Sequence, residues 1–294
     1  MHVPVLLKEV LQYLDPKKGE FMIDGTVDGG GHAAAIMRAI MPGGRFLGVD
    51  WDKAMISRGE AERSHGDRER YVHGNYADLP EILARTGWGK ADGLLLDLGF
   101  SSEQLARSGR GFSFSGEAAG EPLLMTYDDS REPVAQILRE LSENDLASII
   151  FEFGGERFSR RIAKAIGERG KKHRITTSGE LAEVIRNAVP GGYERGRIDP
   201  ATRTFQALRI YANDELGNLK RVLAHAAEIL APGGRIAIIT FHSLEDRIVK
   251  QSFQTLEKEG VVNILTKKPV EASEEEVGEN PRSRSAKIRA ARVA

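Results

Sequence analysis

The 294-residue sequence has no cysteine. That absence excludes disulfides, thiolate metal clusters, iron–sulfur centres and sulfur nucleophiles together. Long apolar runs are also missing; none approaches the roughly 18 residues of a membrane-spanning helix. The opening stretch MHVPVLLKEVLQYL has the pattern of an amphipathic helix with Lys8 and Glu9 inside it. It lacks the basic region and small-residue cleavage site of a signal peptide, so a cytoplasmic location is expected. Charge of one sign is not in excess either: 42 Lys and Arg stand against 43 Asp and Glu, a formal net charge of −1. A nucleic-acid partner would therefore be held by local basic patches, not by an overall positive surface. No G-x-x-x-x-G-K-[ST] motif is present, which argues against a phosphate-cradling NTP loop. No metal-ligating set stands out.

What is present alternates. FMIDG (21–25), RFLGVD (45–50), YVHG (71–74) and DGLLLDLG (92–99) read as strands. Between them HAAAIMRAIM (32–41), KAMISRGEAERS and ADLPEILART read as helices. Strands alternating with helices of this length imply βαβ units and a parallel sheet covered on both faces. The rhythm resumes with a helix over 213–230, a strand RIAIITF (235–241), and a helix opened by a capping box of Ser243 with Asp246. VVNILT (261–266) and AKIRAARV (286–293) are expected as final, antiparallel strands. Residues 103–203 break the pattern with helical segments and no convincing parallel strand. The expected organisation is an α/β sheet domain, 1–102 and 204–294, interrupted by an inserted helical domain at 103–203. The other arrangement is a set of helices decorating a single sheet.

The stretch DGTVDGGGH (24–32) lies in the first βα turn, where an open parallel sheet binds its ligands. Glycine lets the backbone approach a ligand and reach positive φ. Asp50, about 20 positions on and ending the second strand, suits a ribose diol. GGGHAA (29–34) formally matches G-x-G-x-x-A, but Asp24 ends the strand and a longer loop intervenes. A carboxylate there suits the cationic amino group of S-adenosylmethionine (SAM) better than the pyrophosphate of a nicotinamide cofactor. A tight turn without a ligand is the plain alternative.

The fourth strand ends in Asp97, either a capping aspartate or a group that accepts hydrogen bonds from a substrate amino group or from SAM. Methylating cytosine C5 needs a thiolate, which this chain lacks. Transfer to an exocyclic nitrogen needs alignment and hydrogen-bond acceptors. Three basic patches point to nucleic acid: Arg160, Arg161 and Lys164 within ERFSRRIAKAIGERGKKHR; Arg282 and Arg284 within PRSRSAKIRAAR; and Arg203 beside Phe205. Arg110, with Phe112 and Phe114 in RGFSF, forms a set able to stack on unpaired bases, or else a piece of core. His242, after the fifth strand, either orients RNA or the target base or bonds the loop backbone.

HVPVLLKEV, DGT…GGGH, LLLDLGFSSEQL, RGFSF, ERFSRRIAKAI, PATRTFQALRI, NDEL, PGGRIAIITFHSLEDRIVK and NPRSRSAKIRAA, taken in order, resemble the MraW/RsmH family of small-subunit rRNA (cytosine-N4) methyltransferases. The resemblance implies a Rossmann-like SAM-dependent methyltransferase sheet with an inserted helical substrate domain. It implies methylation of N4 of a cytosine in the decoding region of 16S rRNA, with the small ribosomal subunit as partner, no membrane, and a monomer or homodimer. By matching position it places cofactor contacts on Gly30, Gly31, His32, Asp50, Tyr76 (usually Phe), Asp97 and Gln104. The strand-end Asp24 joins them, and Asp97 and His242 are the catalytic candidates. Three positions depart from the family pattern. Asp28 stands for a glycine, Leu124 and Thr126 stand for the acid and arginine of a D-M-R-[MY]-D motif, and Asp199 stands for a histidine. These departures leave a second reading open, a catalytically weakened rRNA-binding or ribosome-assembly factor.

Overall fold

The computed structural model describes residues 4–99, 109–193 and 198–294. The chain forms two compact units, 1–99 with 216–294, and 100–215.

The first unit begins with α1 (Leu7–Leu14), β1 (Phe21–Asp24), α2 (Gly31–Ile40), β2 (Arg45–Asp50), α3 (Lys53–Glu62), β3 (Glu69–His73), α4 (Leu79–Thr86) and β4 (Ala91–Asp97). The strands are apolar almost throughout because both of their faces are covered. Alternate residues serve opposite sides. Phe21, Ile23, Leu47, Val49, Leu94 and Leu96 join one core, while Met22, Phe46 and Leu95 join the other with Ile36 and Ile40 of α2 and Val10 and Leu14 of α1. Burying each such side chain contributes about 1.5–3 kcal/mol.

The second unit contains α5 (Val134–Glu140), α6 (Glu143–Gly154), α7 (Ser159–Lys172), α8 (Ser178–Ala188) and α9 (Thr202–Asn213). Ser142 caps α6 by accepting from the Asp145 amide at 3.2 Å, and Gly155, at φ +62°, ends it. Thr177 and Glu180 form a reciprocal capping box on α8. Leu146, Ile150, Ile162, Ile166, Leu181 and Ile185 make a core that belongs to this unit alone. The sequence reading placed 204–213 in the sheet domain. Instead Phe205, Leu208 and Ala212 pack into this helical core, because their i, i+3, i+7 spacing forms one apolar stripe on α9.

The chain returns through α10 (Glu215–Ala224), α11 (Ala226–Ile229), β5 (Leu230–Thr240), α12 (Ser243–Lys258), β6 (Val262–Ile264), β7 (Val270–Glu271), α13 (Glu274–Glu279) and β8 (Lys287–Val293). The single helix expected over 213–230 is thus two, separated at His225. β6 and β8 run antiparallel, as their patterns implied; β7 and α13 are additions. The sheet order is β3-β2-β1-β4-β5-β8-β6, with β7 also paired to β8. β1 to β5 are parallel. The order reverses between β1 and β4, so a crevice opens beyond their carboxyl ends.

The start of α12 corrects the expected cap. His242, not Ser243, is the N-cap. Its Nδ1 accepts from the Glu245 amide at 3.4 Å, and Glu245 Oε2 accepts from the His242 amide at 3.3 Å and the Phe241 amide at 2.8 Å. Asp246 turns away to hold Arg289, at 3.1 Å for one of its two bonds.

Candidate cofactor site and basic surfaces

Three adjacent parallel strands end in aspartate: β1 in Asp24, β2 in Asp50 and β4 in Asp97. The register sets Asp24 opposite Gly48 on one side and Leu95 on the other. The three carboxylates therefore share the sheet's ligand edge.

Asp24 is fully buried. Its Oδ1 accepts from the Thr26 amide at 3.1 Å and the Thr26 hydroxyl at 3.4 Å, while Oδ2 is buried without a hydrogen-bond partner. Burial drives its carboxyl well above the ordinary range; the Thr26 amide opposes this and the charges of Asp97, Asp50 and Asp28 reinforce it. Asp50 accepts from the Asp52 amide at 2.8 Å and the Asp28 amide at 2.9 Å. Burial still pushes its pKa up to about 7. Asp97 accepts from the Gly99 amide at 3.1 Å. Its second oxygen lies 3.6 Å from Nδ1 of His32, whose Nε2 donates to the Val5 carbonyl at 2.9 Å. That bond requires a proton on Nε2 and leaves Nδ1 on the side of Asp97. Thr26 ties the two strand ends together, its hydroxyl accepting from the Asp97 amide at 2.7 Å.

Gly30 caps α2 at φ +75°, a conformation that a side chain would strain. Gly31 is the first residue of α2 and lies against the Pro4 ring. Asp28, where the family pattern has glycine, also sits in the left-handed region, at φ +44°. Tyr76 stacks on Trp51, ring centroids 6.1 Å apart and planes at 24°. Two contributors escaped the sequence reading. Trp51 follows the strand-two aspartate directly, and an aromatic there was the available signal. Gly25 is the other: a Cβ at this position would lie 2.5 Å from Leu96 Cδ2 and 3.1 Å from Tyr76 Cβ, so a side chain would drive a wedge beside the aromatic pair. Gln104 lies outside the described residues.

A buried, acidic, partly unsatisfied edge with a flanking aromatic pair suits a ligand that is cationic, rich in hydroxyl donors and carries a flat ring. It does not suit a pyrophosphate. SAM fits these requirements; a nicotinamide dinucleotide does not.

The basic candidates separate into those already engaged and those left open. Arg110 is consumed within the helical unit. It donates to the Thr126 carbonyl at 2.6 Å, the Thr126 hydroxyl at 2.9 Å, the Asp128 carbonyl at 2.8 Å and Asp129 Oδ1 at 2.9 Å. Phe112 is core, and Phe114 packs on Phe205 with centroids 4.5 Å apart, so the RGFSF rings are structural and not a stacking platform. Arg203 donates to the Tyr193 hydroxyl at 3.2 Å. Asp199 is held by Arg186 at 2.8 Å and accepts from the Ala201 amide at 2.8 Å; its desolvation is outweighed by these two partners, and its pKa is lowered. Arg160, Arg161 and Lys164 are exposed on α7, Lys164 lying 3.9 Å from Glu168, and Arg282 and Arg284 are exposed on the turn 281–285.

The MraW methylase family model matches residues 1–294. The ribosomal RNA small subunit methyltransferase H of Syntrophotalea carbinolica is 45% identical over 308 residues, covering 99% of this chain and 97% of that one. The protein of the same name from Deinococcus radiodurans is 46% identical over 288 residues, covering 98% and 88%. Among solved structures, Aeropyrum pernix fibrillarin in complex with S-adenosyl-L-methionine aligns over 94% of this chain and 67% of that one, at 12% identity and a TM-score of 0.41. With its strand-end aspartates, its glycine turn and its motifs matched along the whole length, the chain belongs to the MraW methylase family.

Proposed function

We propose that this protein is a SAM-dependent methyltransferase acting on N4 of a cytosine in the decoding region of 16S rRNA. The observation that carries the reading is the row of strand-end carboxylates, with one buried Asp24 oxygen left without a donor. The relatives align over nearly the whole chain and are named as methyltransferases, which favours an enzyme over an assembly factor.

SAM supplies an electrophilic methyl group on a sulfonium. The chain's own residues bind and align around it. Asp24 is assigned to the ammonium, whose positive charge offsets the cost of ionising a buried carboxyl. Asp50 is assigned to the ribose hydroxyls, and Trp51 with Tyr76 to the adenine ring. The Gly30 and Gly31 turn lets the backbone close on the ligand. Asp97 is assigned to the acceptor nitrogen. Accepting an N4 hydrogen there frees the lone pair from the ring and later takes up the proton lost when the new N–C bond forms. His32, anchored by its bond to Val5, lies beside Asp97 and is assigned to the wall of the cofactor loop. His242 is assigned to the cap of α12, since both ring nitrogens face Glu245. Arg160, Arg161, Lys164, Arg203, Arg282 and Arg284 are assigned to rRNA phosphates, within the small subunit.

Tritiated SAM incubated with small subunits lacking the modification, followed by nucleoside mass spectrometry, tests this directly. Label is expected in N4-methylcytidine. Label in another nucleoside, or none with a cofactor-binding protein, would overturn the assignment.

A further inference from the structure

In the helical unit α6, α7 and the turn between them form a groove of about 560 Å³, lined by Phe151 and Glu152 of α6, Arg157 and Phe158 of the turn, and Arg160 and Arg161 of α7. That volume is in the range of small-molecule sites. Phe151 is 59% exposed, the most exposed of the large apolar side chains among the described residues. Its neighbours Leu146, Ile149 and Ile150 are buried, so α6 has satisfied its core face and presents this ring to solvent. A single exposed phenylalanine is ordinary. The setting is not.

Arg157 is held against two rings, its guanidinium 5.0 Å from the Phe158 ring centre and 4.9 Å from that of Tyr193. Arg161 lies 5.9 Å from the Phe158 ring. Some arginines elsewhere are neutralised, Arg186 by Asp199, Arg209 by Glu215, Arg235 by Glu20 and Arg289 by Asp246. Among the described residues no carboxylate pairs with Arg157, Arg160 or Arg161. Three open guanidiniums against the single carboxylate of Glu152 therefore surround an exposed ring. A phosphate-bearing ligand with a flat apolar face complements both features. A second copy of this chain would bring three more positive charges to the same place.

We infer that Phe151, with Arg157, Arg160 and Arg161, forms a stacking platform for an unpaired nucleotide of the RNA substrate: the base lies on the Phe151 ring and the arginines hold the adjoining phosphates. The inference rests on the reading of the chain as an rRNA-binding enzyme, and adds to it that this surface takes single-stranded RNA.

The test uses the full chain and a short single-stranded RNA carrying 2-aminopurine, whose fluorescence is quenched on stacking. Binding by the native protein should quench the fluorophore. Phe151→Ala should weaken binding about tenfold, abolish the quench, leave the salt dependence unchanged and leave affinity for a duplex of the same sequence unchanged. Phe151→Trp should restore both. Arg160→Gln with Arg161→Gln should instead flatten the salt slope by about one unit or more. S-adenosylhomocysteine binding, retained in every variant, confirms that each has folded. If Phe151→Ala changes neither affinity nor quench while the arginine pair weakens binding, the platform is refuted and the RNA-binding reading survives. If no variant affects a native RNA affinity that is real, this whole surface is refuted and the assignment of the basic helix falls with it. If the native protein binds no RNA at all, the reading beneath the inference has failed. A change of oligomeric state in Phe151→Ala, seen by sedimentation, would overturn the inference in favour of a contact between protein chains.

Discussion

Asp50 titrates near neutrality, and two measurable consequences follow from the sign of that shift. Its folded pKa of about 7 lies above the ordinary aspartate value, so the folded protein keeps a proton that the unfolded chain releases. Stability without cofactor should fall as pH rises from about 4 through 7, because there the unfolded state is the one that loses protons. Asp50→Asn should lessen that fall between pH 5 and pH 8 in denaturant unfolding; Asp24 shifts in the same direction and contributes in the same sense. Cofactor affinity should move the other way, strengthening toward pH 8 as Asp50 ionises and accepts more strongly from hydroxyls, which calorimetry at the two pH values will read. Asp28 bears on the same carboxylate. Its charge raises the Asp50 pKa, and its backbone is left-handed at φ +44°. Asp28→Gly should add about 1 kcal/mol of stability by removing that strain and should lower the Asp50 pKa. A pH profile that does not shift in this variant would show that Asp28 is screened from the site. At this scale the sequence was partly legible. The strand-end acids stand out because an apolar run stops at a charge. The fate of Thr126 was not legible. It is buried and accepts from Arg110, so the departure from the family motif is a bond inside the helical unit, a long-range pairing that no local pattern encodes.

Helices and strands were readable where period and flanking residues agree, and less so where tertiary partners decide. The apolar runs ending in Asp24, Asp50 and Asp97 lie within a residue or two of the strands they announced. The helix after β5 was placed correctly, but its cap was displaced by one residue. Serine is the commoner N-cap, and Ser243 with Asp246 looked sufficient. Glu245 decides the matter, because its carboxylate collects the amides of both Phe241 and His242 and so makes His242 the residue before the first turn. His242→Ala should therefore cost about 1 kcal/mol in denaturant unfolding, whereas Ser243→Ala should be near neutral. Equal effects would show that the two residues share the cap.

Each of the two units has a core of its own, one built on the sheet faces and one among α5 to α9. Leu94→Ala in the first and Ile162→Ala in the second should each cost about 2–5 kcal/mol. Each should lower the transition of its own unit in calorimetry, and a single transition lowered equally by both would mean that the units unfold as one. The division itself was visible as a break in the βαβ rhythm. Its second boundary was not, since the apolar stripe of α9 reads equally well against a sheet or against other helices; only packing on Ile150 and its neighbours selects the helical core. Charge follows the same logic. A net charge of −1 hides the local imbalance on α7, because the counterbalancing acids lie elsewhere in the chain.

The position of β8 makes the sheet depend on a strand far along the chain. Its seven residues, Lys287–Val293, pair with β5 on one side and with β6 and β7 on the other, so this strand is interior to the sheet although it follows β1 to β7 in sequence. Without it, β5 would present a bare edge to solvent, an edge whose residues Ile236, Ala237, Ile238 and Ile239 are all apolar. Such an edge recruits other strands. A chain cut before residue 287 should therefore self-associate through β5 where the full chain does not, which light scattering of the two at equal concentration will read.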